Sequence, residues 1–169
     1  MKVVLYGNPI LRKTAKSVVK ITKELRETCE EMILTMRTVK PKGVGLAGPQ
    51  VGIPLRIFVM EPEPNVTFCI ANPQVLSRSG DMVDTEGCLS VPGVYYKVNR
   101  AEKILVSYIN VLDGKKYKKE FEKYAARIFL HELDHLNGVI FTDYCETIDE
   151  LEFQENIKIP PKLLERFKS

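Results

Sequence analysis

Apolar residues return at helical spacing between Lys23 and Val39, where Leu25, Cys29, Met32, Ile33 and Met36 fall on one stripe, so the pattern predicts an amphipathic helix. Lys40-Pro41-Lys42-Gly43 ends it, because proline disfavours helix in the residue before it. Arg56 to Met60 reads as a strand closed by Glu61-Pro62-Glu63-Pro64. Further strands are expected near Thr67 to Ala71, Gln74 to Arg78, Lys103 to Asn110 and Lys116 to Glu122, with Asp113-Gly114 as the hairpin turn between the last two.

A second helix is predicted over Tyr124 to Asn137, with Gly138 as its C-terminal cap. Ala125, Ile128, Phe129, Leu130, Leu133 and Leu136 make it apolar on most of its circumference, the mark of a buried helix. Strands and a few helices without regular alternation indicate an α+β fold.

At 169 residues the chain fits a single domain with a real core. With 44% hydrophobic and 28% charged residues it has an ordinary globular balance. A net charge of +3 makes no case for DNA as a partner. No apolar run reaches membrane-spanning length, so no membrane role is expected. Gly7 and Pro9 interrupt the N-terminus before a signal-peptide core could form, which points to the cytoplasm. Cys29, Cys69, Cys88 and Cys145 form no CxxC pair and are expected to be free thiols there.

The two histidines of the chain, His131 and His135, both lie on the second helix, four residues apart and therefore on one face. With Glu132 they form HExxH, which offers two nitrogen ligands and a carboxylate able to take a proton from a metal's water. Two histidines, Glu132 and Asp134 on an apolar helix are costly to bury unless something compensates, and a metal would.

A catalytic site of this kind needs a third protein ligand. Metzincin peptidases use a third His, but the corresponding position here is Phe141. Glu146 or Glu150 could serve as in thermolysin-like enzymes. A thiolate is the other option, and Cys88 is the best candidate, since Glu86-Gly87-Cys88-Leu89-Ser90-Val91-Pro92-Gly93 lets backbone come close to another group. Cys145 is a weaker one; Cys29 and Cys69 read as core filler.

Gly43-Val44-Gly45-Leu46-Ala47-Gly48 matches GxGxxG, but a helix precedes it and Pro49-Gln50 follows, so a dinucleotide site fails on context. A tight glycine loop ending in Gln50 can instead line a pocket and offer a side-chain N–H to a substrate oxygen.

Gly43 to Gln50, Glu86-Gly87-Cys88-Leu89-Ser90 and His131-Glu132-Leu133-Asp134-His135, in that order and at these separations, resemble the three motifs of the peptide deformylase family over nearly the whole chain. The resemblance implies one catalytic domain over residues 1–169, an α+β fold with antiparallel sheets around a central helix that bears HExxH, and an N-terminal helix. It implies removal of the N-formyl group from the initiator methionine of nascent polypeptides, with Fe²⁺ as cofactor and Zn²⁺ or Ni²⁺ as substitutes. Carried over by position, Cys88, His131 and His135 would hold the metal and Glu132 would be the general acid/base. Gln50 and the Leu89 N–H would form the oxyanion hole. Gly45 would contact the peptide backbone, while Val44 and Ile128 would line the methionine pocket. Two departures stand out. Gly48 replaces the family's usual Ala and is expected to loosen the loop. Leu130 replaces its usual Gln, which removes a hydrogen bond behind the metal ligands. Bacterial members can dock on the ribosome near the exit tunnel through the C-terminus, and the stretch from Ile157 to Lys168 is basic with a short apolar stripe.

The implied reaction is attack of the metal's water on the formyl carbon, with Glu132 taking the proton and returning it to the leaving amine. Two rival readings are a zinc peptidase with Glu146 or Glu150 as third ligand, and a non-catalytic metal module closed by Cys145.

Overall fold

In the computed structural model, which describes residues 1–168, helix α1 (Lys23–Thr38) is followed by β1 (Gly45–Ala47), β2 (Ile57–Glu63) and β3 (Val66–Ser79). Then come β4 (Met82–Cys88), β5 (Val91–Arg100), β6 (Lys103–Asn110), β7 (Lys116–Glu122), α2 (Lys123–Leu136), β8 (Glu152–Phe153) and α3 (Pro161–Arg166). All strand pairs in the two sheets are antiparallel. The order is β1-β2-β3-β6-β7 in the larger sheet and β4-β5-β8 in the smaller. The architecture is α+β, as the pattern predicted.

Ile57 to Met60 is buried at every position because both faces of the larger sheet are covered. Ile57 and Val59 face α1, packing with Leu25, Cys29, Met32 and Met36. Phe58 and Met60 face α2, packing with Ile128, Phe129 and Leu130. Phe58 and Phe129 meet edge to face at 5.1 Å, and each buried ring contributes roughly 2–3 kcal/mol through burial alone. Thr22 caps α1 by accepting the Leu25 N–H at 3.2 Å.

The hidden circumference of α2 has two characters. Its apolar side rests on the larger sheet, while Arg127, His131 and Asp134 reach polar partners on β4 and β5. Gly138 ends the helix at φ +74°, where a Cβ would meet the Arg12 carbonyl at 2.5 Å. Only glycine combines that dihedral with that approach.

Several sequence expectations need correction. The Glu61-Pro62-Glu63 cluster does not end its strand: β2 runs on to Glu63, and the chain turns at Asn65, with φ 66°. Pro62 is tolerated because it lies in the register shift between Met60 and Glu63, where the β2–β3 ladder is interrupted. The two strands expected at Thr67 to Ala71 and Gln74 to Arg78 are one strand, β3, interrupted by a register shift. Asn72 at the shift adopts φ 49° and exchanges two 2.8 Å hydrogen bonds with the Val18 backbone. Strands β1, β4, β5 and β8 and helix α3 were not expected. Gly45 to Ala47 is thus an edge strand, followed by a tight turn at Gly48–Val51.

The C-terminal apolar stripe is turned inward. Leu163 is fully buried, and Ile157, Ile159 and Phe167 pack onto a third cluster with Leu11, Val91, Val94 and Phe141. Among the described residues no helix is long and apolar enough to cross a membrane, and all four cysteines are free.

Candidate active site and metal centre

Cys88 sits at the end of β4, and the β4–β5 turn brings it against the last two turns of α2. Its Sγ lies 3.4 Å from His135 Nε2, which lies 3.2 Å from His131 Nε2. The ligand atoms of Cys88, His131 and His135 all fall within 4.8 Å of one another. Two ring nitrogens aimed at each other beside a thiol repel unless a cation or a proton lies between them. Three soft or borderline donors converging on one point suit a divalent transition metal. Glu146 and Glu150 do not join the group: Glu150 accepts from Tyr96 Oη at 3.0 Å and caps Thr147. Cys145 Sγ is turned to the Thr147 carbonyl.

His131 Nδ1 is paired with Glu86 Oε1 at 2.7 Å, which leaves Nε2 facing the site. Glu86 is buried among cations: Arg100 meets both its oxygens at 2.8 Å, and Arg127 Nη1 donates to Oε2 at 2.7 Å. Burial opposes charge on Glu86, but Arg100 and His131 outweigh it and hold the carboxyl well below its usual range. Arg127 also donates to the carbonyls of Val98 and Met82, so one side chain ties α2 to both β4 and β5. Asp134 accepts from Arg100 at 2.6 Å and from Tyr144 Oη at 2.8 Å. Burial works against charge on both imidazoles. Hydrogen bonds to Cys88 and Glu86 raise His131 above its ordinary value nonetheless, while His135, with Nδ1 buried and unpaired, is lowered.

Glu132 is 4% exposed, and its Oε2 has no hydrogen-bond partner among the described residues. Burial pushes its carboxyl up to about 7, a value suited to accepting and returning a proton near neutral pH. The carboxylate fits because β1 passes beside it at Gly45, where a Cβ would lie 2.8 Å from Glu132 Cδ.

Gln50 is 1% exposed, and its Oε1 accepts the Ala47 N–H at 2.9 Å. A backbone N–H can only donate, so the amide orientation is fixed: Nε2 faces Cys88 Sγ at 3.4 Å and Ser90 Oγ at 3.2 Å. A cleft of about 690 Å³ opens over these groups, lined by Val44, Gly45, Gln50, Leu89, Ile128 and Glu132 together with Cys88 and His131. His135 lies behind them, 1% exposed. The structure therefore brings Cys88, His131, His135, Glu132, Gln50, Leu89, Val44, Gly45 and Ile128 together and leaves the alternative ligands Cys145, Glu146 and Glu150 outside the group. Sequence reasoning passed over the partners Glu86, Ser90, Arg100 and Arg127. Glu86 and Ser90 stand in the Cys88 motif, and Arg127 lies one helical turn before His131, so only Arg100 had no local signal.

Both departures have a local structural setting. Gly48 sits where the usual alanine would be crowded, because a Cβ there would lie 2.8 and 2.9 Å from the Ile53 and Leu55 carbonyls. Leu130 is 3% exposed and belongs to the apolar cluster with Phe58 and Phe129.

A sequence model of the polypeptide deformylase family matches residues 1–151. Peptide deformylase of Thermotoga neapolitana is 44% identical over 157 residues, which cover 92% of this chain and 93% of that protein. The crystal structure of peptide deformylase from Thermotoga maritima superposes with a TM-score of 0.80 at 44% identity, covering 84% of this chain and 95% of that one. A peptide deformylase from Synechococcus elongatus in complex with actinonin gives 0.83 at 38% identity, over 89% and 81% of the two chains. The fold agrees with these comparisons, and the chain belongs to the polypeptide deformylase family.

Proposed function

We propose that residues 1–169 form one catalytic domain that removes the formyl group from the N-terminal methionine of nascent polypeptides, with Cys88, His131 and His135 holding a single Fe²⁺ that Zn²⁺ or Ni²⁺ can replace. The observation that carries this reading is the convergence of those three donors beside the unpaired Oε2 of Glu132. When bound, the ion acidifies water and so makes a nucleophile available near neutral pH.

The chain's own groups do the rest. Glu132 takes a proton from the attacking water, and the C–N bond of the formamide breaks as Glu132 returns that proton to the leaving nitrogen. The products are formate and a free amine. Gln50 Nε2, fixed by Ala47, and the Leu89 N–H offer donors to the charge that develops on the formyl oxygen. The backbone at Gly45 guides the peptide, and Val44 and Ile128 wall the methionine side chain. The closeness of Gly45 to Glu132 favours a formyl carbon, which carries only hydrogen, over acetyl.

The iron preference rests on the thiolate, which donates charge to the ion and blunts its pull on water; an ion that reaches five-coordination readily compensates. Metal analysis of protein purified without oxygen tests it. Action in the cytoplasm and near the ribosomal exit tunnel belongs to the same proposal. Any docking through the C-terminal segment would use its exposed Lys158 and Lys168, since the apolar stripe is packed inward. The deciding experiment offers formyl-Met-Ala, acetyl-Met-Ala and an internally cleavable peptide to the metal-loaded protein and to Glu132→Gln. Formate release from the first substrate alone, lost in a variant that still carries metal, is the expected result. Cleavage of the internal peptide, or a metal-free variant, would overturn it.

A further inference from the structure

The cleft is larger than a formylmethionyl group needs and lies in the range of roughly 300–1,000 Å³ typical of sites for drug-sized ligands. Its walls limit where the rest of a peptide can go. Beyond Gly45 the chain leads inward, through Leu46 and Ala47, both fully buried, to Gln50. In the other direction Val44 is 38% exposed, and Lys42, Pro41 and Lys40 are exposed beyond it. The N-terminal segment also lines the cleft, through Met1, Lys2, Val3 and Leu5. It is tied to the site by the Val4 N–H on the Gln50 carbonyl at 2.7 Å and the Tyr6 N–H on the Ser90 carbonyl at 2.8 Å. Its Lys2 is exposed.

The charges around this opening are one-sided. Lys2, Lys40 and Lys42 line it, and none makes an ion pair among the described residues. The carboxylates in the lining are Glu86 and Glu132, both buried at the catalytic end, and Glu86 is already saturated by Arg100, Arg127 and His131. Glu61, which senses Lys42, is held by Arg37 at 2.7 Å and by the Asn65 N–H at 2.9 Å. A cleft lined by one sign of exposed charge concentrates ligands of the other sign.

We infer that this cleft reads the charge of the nascent chain, and that Lys2, Lys40 and Lys42 favour an acidic side chain downstream of the formylmethionine over a basic one. The inference rests on the substrate reading above. Each exposed pairing is weak and screened by salt, so the preference comes from the three lysines together and fades as ionic strength rises.

The test uses the metal-loaded enzyme and amidated peptides, so that no free C-terminal carboxylate is present. The substrates are formyl-Met-Ala-Glu-Ala, formyl-Met-Ala-Gln-Ala and formyl-Met-Ala-Lys-Ala amides. The expected kcat/KM order is Glu over Gln over Lys, with about three- to thirtyfold between the extremes, carried mainly by KM. The ratio should shrink in about 0.5 M NaCl and fall toward one in the triple variant Lys2→Gln, Lys40→Gln, Lys42→Gln. Equal rates for the three peptides, or an unchanged ratio in the triple variant, would overturn the inference and leave the deformylase reading intact. A preference seen only with free-acid peptides would also overturn it, since a terminal carboxylate would then be the group recognised. A Gln peptide left unhydrolysed would bring down the substrate reading and this inference with it.

Discussion

Gly45 and Glu132 are in contact across the boundary between the larger sheet and α2: a Cβ on Gly45 would lie 2.8 Å from Glu132 Cδ and 2.9 Å from its Cγ. The Glu132 carboxylate thus occupies space that any side chain at position 45 would fill. Gly45→Ala should leave bound metal near the wild-type level, because Cys88, His131 and His135 are untouched. It should lower kcat about a hundredfold, the scale of a misplacement of about 1 Å at a reacting group. Metal content and formate release measured on one sample decide it; full activity would show that Glu132 can shift without cost.

Gly48→Ala installs the family's usual residue but places a Cβ under 3 Å from two backbone carbonyls. Neither carbonyl is the end of a flexible side chain, so the turn itself must move. We expect a loss of about 1–3 kcal/mol in the thermal unfolding of matched samples, and a smaller loss of activity through Gln50, two residues on. An unchanged melting temperature would show that the turn yields freely.

Leu130→Gln should destabilise rather than restore a contact. Leu130 packs with Phe58 and Phe129, and an amide there would find no partner in that cluster. The lost packing and the unpaired amide together cost about 2–4 kcal/mol. Chemical denaturation checks this, and a gain in stability or metal affinity would point to a partner that the apolar cluster does not offer.

Glu86 should make stability depend on acid. Its carboxyl is held below the usual range in the folded chain and returns to about 4.3 when unfolded. The folded protein therefore gains from Glu86 above that pH and loses the gain as pH falls below it toward the folded value. Glu86→Gln should unfold at lower temperature at pH 7, since two buried arginines lose their counter-charge. It should also lose less on going from pH 5 to pH 3. Parallel pH profiles for the two proteins would exclude this role.

The helix α2, its glycine stop and the histidine pair were legible in the sequence because each is local: His131 and His135 share a face through a spacing of four, and Gly138 follows the last apolar turn. Cys88 required the motif around it, since nothing in the chemistry of a lone thiol sets it apart from Cys145. Strand β4 escaped notice because six of its seven residues are exposed or half-buried and the one buried residue, Glu86, is charged, leaving no apolar alternation. Strand β5 carries its buried residues at Val91, Gly93, Val94, Val98 and Arg100, a spacing that does not follow a simple period of two. Arg100 could not be foreseen as a site residue, because what gives it a role is the pairing of β5 with β4, which sets it within reach of Glu86 and Asp134.

Helix α2 has almost no position that answers to a single demand. Ala126, Phe129 and Leu130 fill the core, Arg127 and Asp134 tie the helix to the smaller sheet, and Glu132 and His135 serve the site, all on one fourteen-residue segment. A change at one of these positions disturbs packing, docking and chemistry together, and so should be felt as loss of fold and loss of turnover at once. Sequence change can be absorbed along β7, where six of seven residues are exposed. Adaptation of this enzyme to a new temperature or a new substrate therefore has its room at the periphery, around a helix that has very little freedom to vary.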